Sequence, residues 1–331
     1  MFKNYRSIFL IFLCFYLNGD LFSQNINYKQ YHNFLLEGKK STSIKNNINF
    51  LKKAINLETP FQEELSSLSF FYFKIGKKNK AKKYFFKSII HGRQIEKDED
   101  LKNTPFIIDY EMDFLSQNDS SAYSKFLYDL YIKKNKKVNK LRKSYLKKIS
   151  SYQNQIYESM LQNENYFQSL RFLFYDKKVN DSIAFKYVAK YGSTPNSYYL
   201  LDLLKSDKFP ERRKCARFNS QTITMLLNHG IAGFLNREDA LQFVQLLWEI
   251  VVRGDITPYE YACAYDHYVS CFIDENKSYF GTAMCFKDGK LALLDLLNPN
   301  LINEIRKTHW LNPLEDFLSD SNLISPSNYG K

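Results

Sequence analysis

Glycine and proline are scarce, at 11 and 8 residues in 331. That excludes collagen-like and linker-rich architectures, which need far more of both. No Gly-rich phosphate loop, Gly-x-Ser-x-Gly elbow, His-Glu-x-x-His helix or dinucleotide fingerprint occurs, so the common nucleotide-binding, serine-hydrolase and zinc-protease signatures are missing. After the first 20 residues no apolar stretch approaches the roughly 20 residues that cross a bilayer as a helix. Acids are also in deficit: 35 Asp and Glu stand against 47 Lys and Arg, a formal charge of +12. What is present is the composition of a globular chain, 44% hydrophobic and 25% charged, which excludes wholesale disorder.

The charge excess is uneven. Residues 1–149 hold 28 cations and 14 acids, a net of +14, and residues 150–331 hold 19 and 21, a net of −2. So sharp a division predicts two structural units.

Lys3 and Arg6 precede an apolar run from Ile8 to Leu17, followed by Phe22-Ser23-Gln24. A basic start, a short apolar stretch and a small residue before the cut predict a signal peptide over 1–23 and a soluble mature chain in the periplasm or outside the cell. Cys14 lies inside that run, after the bulky Leu13, which disfavours a lipid-anchored cysteine. Cys215, Cys263, Cys271 and Cys285 remain, and an oxidising compartment permits two disulfides among them. Cys263 and Cys271 cannot pair within one helix, because eight residues rise about 12 Å. Each cysteine reads equally well as a small buried apolar side chain.

Residues 30–95 repeat at a spacing of 34: Phe34 matches Leu68, Leu51 matches Phe85, Ala54 matches Ser88 and Ile55 matches Ile89. A period of this size predicts stacked helical hairpins, each burying its apolar face against the next. Leu68, Tyr72, Gly76, Ala81 and Phe85 resemble the tetratricopeptide repeat at its motif positions, with Ser69 where that family prefers Gly and Ser88 where it prefers Ala. The resemblance covers Tyr31–Gly92, with Phe106–Lys134 a degenerate third copy, and implies helical repeats over 24–132 that bind a protein or peptide partner. The alternative is that these helices only buttress the second unit.

Lys133–Lys148 carries nine cations in sixteen residues and no acid. Val138, Leu141, Tyr145 and Ile149 recur at helical spacing, which predicts an amphipathic basic linker helix within 133–154. Its charge suits either solvent or an anionic surface of lipid or polysaccharide. Export argues against nucleic acid as the partner.

In the second half, Asn180-Asp181 opens a helix expected to end at Tyr191-Gly192, with Pro195 beyond. Asn236 caps a helix stopped at Gly254, and Thr257-Pro258 starts another running to about Phe272. Tyr279–Phe286 and Lys290–Leu294 flank Asp288-Gly289, the mark of a β-hairpin. A last helix is expected over Pro299–Lys307, and a flexible tail over 319–331. These pieces, with Asn228-His229, Gly254-Asp255-Ile256, Asp266-His267, Tyr279-Phe280-Gly281-Thr282, Asn303-Glu304-Ile305-Arg306 and Leu311-Asn312-Pro313-Leu314, resemble the uncharacterised domain-of-unknown-function family 6624 over about 155–318. Asn228 stands where that family usually has Gln, and His267 where it has Arg. The resemblance implies a fold and no reaction.

His229 is a candidate general base, oriented by Asp266 if the fold joins them. Alternatively it serves only to bond a free carbonyl at its helix end. Arg306, with Tyr279, Gly281, Thr282 and His267, is a candidate ligand site for a carboxylate or phosphate. A purely structural Arg306 would pair instead with Asp295 or Glu304. Cys263, His267 and Cys271 share one helix face, but the outer two stand too far apart for one ion, and no metal or cofactor is implied. The whole reads as mainly α, helical-hairpin repeats followed by an α-helical domain with one β-hairpin. Its expected role is an exported interaction or scaffolding protein of the cell envelope; the alternative is an enzyme, possibly a hydrolase, built around His229 and Asp266.

Overall fold

The computed structural model describes residues 28–38, 40–60, 62–91, 117–176, 182–215, 220–287, 290–321 and 323–330. The expected signal peptide, the cap Asn180-Asp181 and the turn Asp288-Gly289 lie outside them. The chain is mainly helical with small paired strands, and it divides between Ile149 and Ser150 into two units.

The first unit contains α1 (28–38), α2 (Ile44–Leu57), α3 (Gln62–Lys74), α4 (Lys78–Ile90), α5 (Gln117–Lys133) and α6 (Asn135–Leu146). The 34-residue period corresponds to two helical hairpins. Phe34 on α1 meets Phe50 on α2 with ring centroids 6.4 Å apart. Between α3 and α4 the chain reverses at Gly76, whose φ of +73° is one that a residue with a Cβ rarely adopts. Lys77 N–H closes the end of α3 on the Tyr72 carbonyl. Ala81 is fully buried, and Tyr72 stacks on Tyr84 at 5.4 Å.

The two polar departures from the repeat motif have partners. The buried Ser69 hydroxyl donates to the Ala81 carbonyl across the hairpin at 2.8 Å, and that of Ser88 donates to Phe85 of its own helix at 2.8 Å. Neither hydroxyl is left buried and unsatisfied, so the substitutions are tolerated.

Beyond the second hairpin, Tyr123 of α5 packs between Phe70 and Phe73 of α3. Val138 of α6 is buried in the same core, and Lys137 extends its ammonium to 4.3 Å from the Phe86 ring on α4. The described part of the expected third copy is therefore α5. The expected linker helix breaks at Lys134 and stops at Leu146, and its apolar stripe seats α6 in the first unit's core.

The second unit contains α7 (Ser151–Asp176), α8 (Ser182–Lys205), α9 (Ser220–Ala232), α10 (Arg237–Arg253), α11 (Pro258–Phe272), α12 (Ile302–Thr308) and α13 (Leu314–Ser321). β1 (Lys277–Ser278) runs parallel to β4 (Asp295–Leu296), and β2 (Met284–Lys287) is antiparallel to β3 (Lys290–Leu293). Local signals set α10 and α11 as expected. Asn236 accepts from Asp239 N–H, and Thr257 forms a capping box with Glu260 ahead of Pro258.

Three expectations are corrected. α8 does not end at Gly192 but continues through Pro195 to Lys205. Pro195 faces solvent, while Ser193, Asn196, Ser197, Leu200 and Leu201 are buried, so packing outweighs the lost backbone bond. The hairpin's first arm begins at Met284, because Tyr279–Thr282 form a loop around a buried carboxylate. The tail is tied down: Ile324 exchanges backbone bonds with Leu291 and Leu293, Ser327 caps Asp295, and Asn328 brackets Leu296 from both sides.

Candidate functional site

The residues singled out from the sequence separate into two clusters, both anchored on α11. Asp266 and His267 are neighbours there, but successive helical residues point about 100° apart. One faces the loop after β1, and the other faces α9.

Asp266 is fully buried and accepts five hydrogen bonds of 2.6–2.7 Å. Oδ1 takes the N–H groups of Tyr279 and Phe280; Oδ2 takes the N–H of Thr282 and the hydroxyls of Ser278 and Thr282. Gly281 donates its N–H to Ser278 Oγ, which closes the loop on itself. On the loop's other side lies Arg306, 2% exposed, donating from Nε to the Asn312 carbonyl and from Nη1 to the Phe280 carbonyl, each at 2.6 Å. Phe280 thus gives its N–H to the carboxylate and its C=O to the guanidinium. Burial lowers the Arg306 pKa, and the nearby Asp266 charge opposes that shift.

Tyr279, Gly281, Thr282 and Arg306 stand together, but with Asp266 among them in place of its expected partner His229 and without His267, and their polar groups bind one another. Arg306 pairs with neither Asp295 nor Glu304; Asp295 is held by Ser327, and that contact keeps its carboxyl below the usual carboxylate range.

The second cluster joins α7, α9 and α11. His229 sits in the last turn of α9 and meets Glu164 of α7 through Nδ1 and Oε1, 2.5 Å apart. The Glu164 side chain is 1% exposed and that of His229 is 26% exposed. Asp266 faces away, so Glu164 is the acid that orients His229. Sequence reading missed Glu164, although Tyr157, Met160 and Glu164 fall on one helical stripe and the first two are fully buried.

Close by, desolvation and the neighbouring His229 lower the pKa of His267 to about 4. Its Nε2 lies 3.7 Å from Cys271 Sγ. Cys263 belongs to the other cluster, beside Tyr259 and Thr282. All four later cysteines are free. Desolvation pushes the Cys215 and Cys263 thiols up to about 12 and raises that of Cys271, so none of these three is held as a nucleophilic thiolate. No group of three His, Cys, Asp or Glu among the described residues is arranged to hold a metal ion.

His267 makes stability depend on pH. Folded, it resists protonation until about 4, whereas unfolded it binds a proton near the ordinary 6.5. Its contribution is therefore complete above about 6.5 and is lost as pH falls from there towards 4. The urea midpoint should drop across this window, and His267→Gln should flatten that part of the profile. An unchanged profile in the variant would refute the assignment.

No protein-family model matches the chain, and neither a curated protein nor a solved structure resembles it at a significant level.

Proposed function

We propose that this chain is an exported interaction or scaffolding protein of the cell envelope, not an enzyme, and that it docks on a polyanionic partner through its helical unit. The observation that carries this reading is the surface of α4 and α6. Residues 74–91 hold seven lysines and residues 130–157 hold nine cations, and neither stretch contains an acid. Seven of these lysines, Lys80, Lys83, Lys87, Lys136, Lys140, Lys143 and Lys147, are exposed to solvent. In the second unit, by contrast, Asp266, Arg306 and Glu164 are consumed in holding elements together. The tetratricopeptide-like hairpins supply a rigid support for the charged helices, and the apolar run at residues 8–17 supports export.

Such a surface works by long-range attraction that salt screens. The full chain should be retained by immobilised heparin and by polyglutamate, and eluted by salt. Replacing Lys80, Lys83, Lys87, Lys136, Lys140, Lys143 and Lys147 by Gln should abolish retention, while His229→Ala should leave it intact. A protein that ignored both polyanions and instead hydrolysed a defined substrate, losing turnover in His229→Ala, would replace this reading with acid–base catalysis by the Glu164–His229 pair.

A further inference from the structure

Resting on that reading, we propose that the polyanion is a bilayer of anionic phospholipid, and that α4 and α6 form the face that lies on it. Helical spacing sorts the lysines of both helices. Lys80, Lys83 and Lys87 follow one another at i, i+3 and i+7 on α4, opposite the buried Ala81, Phe85 and Ser88. Lys136, Lys140, Lys143 and Lys147 do so at i, i+4, i+7 and i+11, opposite the buried Val138. All seven are exposed. Because α6 packs beside α4, the two stripes stand on adjacent helices of one core.

Three features select lipid among polyanions. First, the face is built of lysine, with Arg142 its one guanidinium, half-buried. Specific recognition of a fixed carboxylate or sulfate favours the planar fork of arginine, whereas mobile ammonium groups suit a fluid layer of headgroups. Second, large apolar side chains immediately beside a lysine in the sequence are exposed: Ile75 at 39%, Ile132 at 55% and Leu146 at 59%. A polysaccharide offers these groups nothing, but a bilayer takes them into its headgroup boundary while neighbouring lysines extend to the phosphates. Third, each lysine near an anionic leaflet contributes on the order of 1 kcal/mol, so seven suffice for stable yet reversible attachment.

The test is flotation of the full-length protein with vesicles of phosphatidylglycerol and phosphatidylcholine, and with phosphatidylcholine alone. The protein should float with the acidic vesicles only, and be released between about 0.1 and 0.5 M salt. Lys136, Lys140, Lys143 and Lys147 all replaced by Gln should weaken binding at least about thirtyfold. A control with Lys205, Lys208, Lys287 and Lys307 replaced by Gln, all exposed in the second unit, should change it less than about threefold. Leu146→Ser should weaken binding without altering its salt dependence. These substitutions are at exposed positions, and unchanged circular dichroism would confirm folding. Equal losses in both lysine sets would overturn the proposal, because net charge and not this face would be responsible. So would retention on heparin or polyglutamate without vesicle binding, an outcome that leaves the polyanion reading standing; failure with all three probes removes both.

Discussion

Asp266→Asn should lower the stability of the second unit by about 3–5 kcal/mol, the cost of removing one partner from a buried ionic network. The carboxylate accepts from five donors, and an amide replaces one of its two oxygens with a group that itself donates. In one orientation the new NH2 confronts Thr282 N–H; in the other it confronts those of Tyr279 and Phe280. The loop loses its centre either way, and Arg306 loses both the nearby charge and the fixed Phe280 carbonyl. Trp248 and Trp310, the only tryptophans, both lie in this unit, so their fluorescence in urea reports its unfolding. Arg306→Met combined with Asp266→Asn should cost less than the two single changes summed, since both residues act through Phe280. A loss below about 1 kcal/mol, or additive losses, would show that the loop holds itself without the carboxylate.

Gly233→Ala should cost about 3 kcal/mol by overpacking. α8 crosses the end of α9 so closely that a Cβ at Gly233 would stand 2.3 Å from Ser197 Oγ, 2.5 Å from Ser193 Oγ and 2.7 Å from the Ser193 backbone carbon. The hydroxyls can rotate aside, but the backbone carbon cannot. α8 must then retreat, breaking the bond from Thr194 Oγ1 to the Gly233 carbonyl. Ser197→Ala should fail to rescue the variant. Gly76→Ala is the contrasting case, because nothing lies within 4 Å of its Cβ and only the +73° φ opposes it; about 1–2 kcal/mol is expected there. Thermal unfolding of both variants separates crowding from backbone strain, and a milder effect at Gly233 than at Gly76 would contradict the packing argument.

Much of the architecture was legible locally. Asn236, Gly254 and Thr257-Pro258 bound their helices where expected, because capping depends on residues three or four apart. The 34-residue period was readable for a related reason: the matched positions Leu51 and Phe85, and Ala54 and Ser88, are buried in both hairpins. Pro195 misled because its local penalty was overridden by the buried residues on either side of it. The loop at Tyr279–Thr282 read as strand because nothing beside it in sequence reveals the carboxylate that gathers its N–H groups.

By itself, then, the sequence determined the helical hairpins, the helix ends and the concentration of positive charge in one half, all of which are read from composition and short-range spacing. The tertiary structure alone decided which acid serves which base. Glu164 reaches His229 across 65 residues, and the turn of α11 aims Asp266 away from that histidine into a loop that it organises. Such pairings are set by how helices pack and by the 100° between neighbouring positions, and no short-range pattern encodes them.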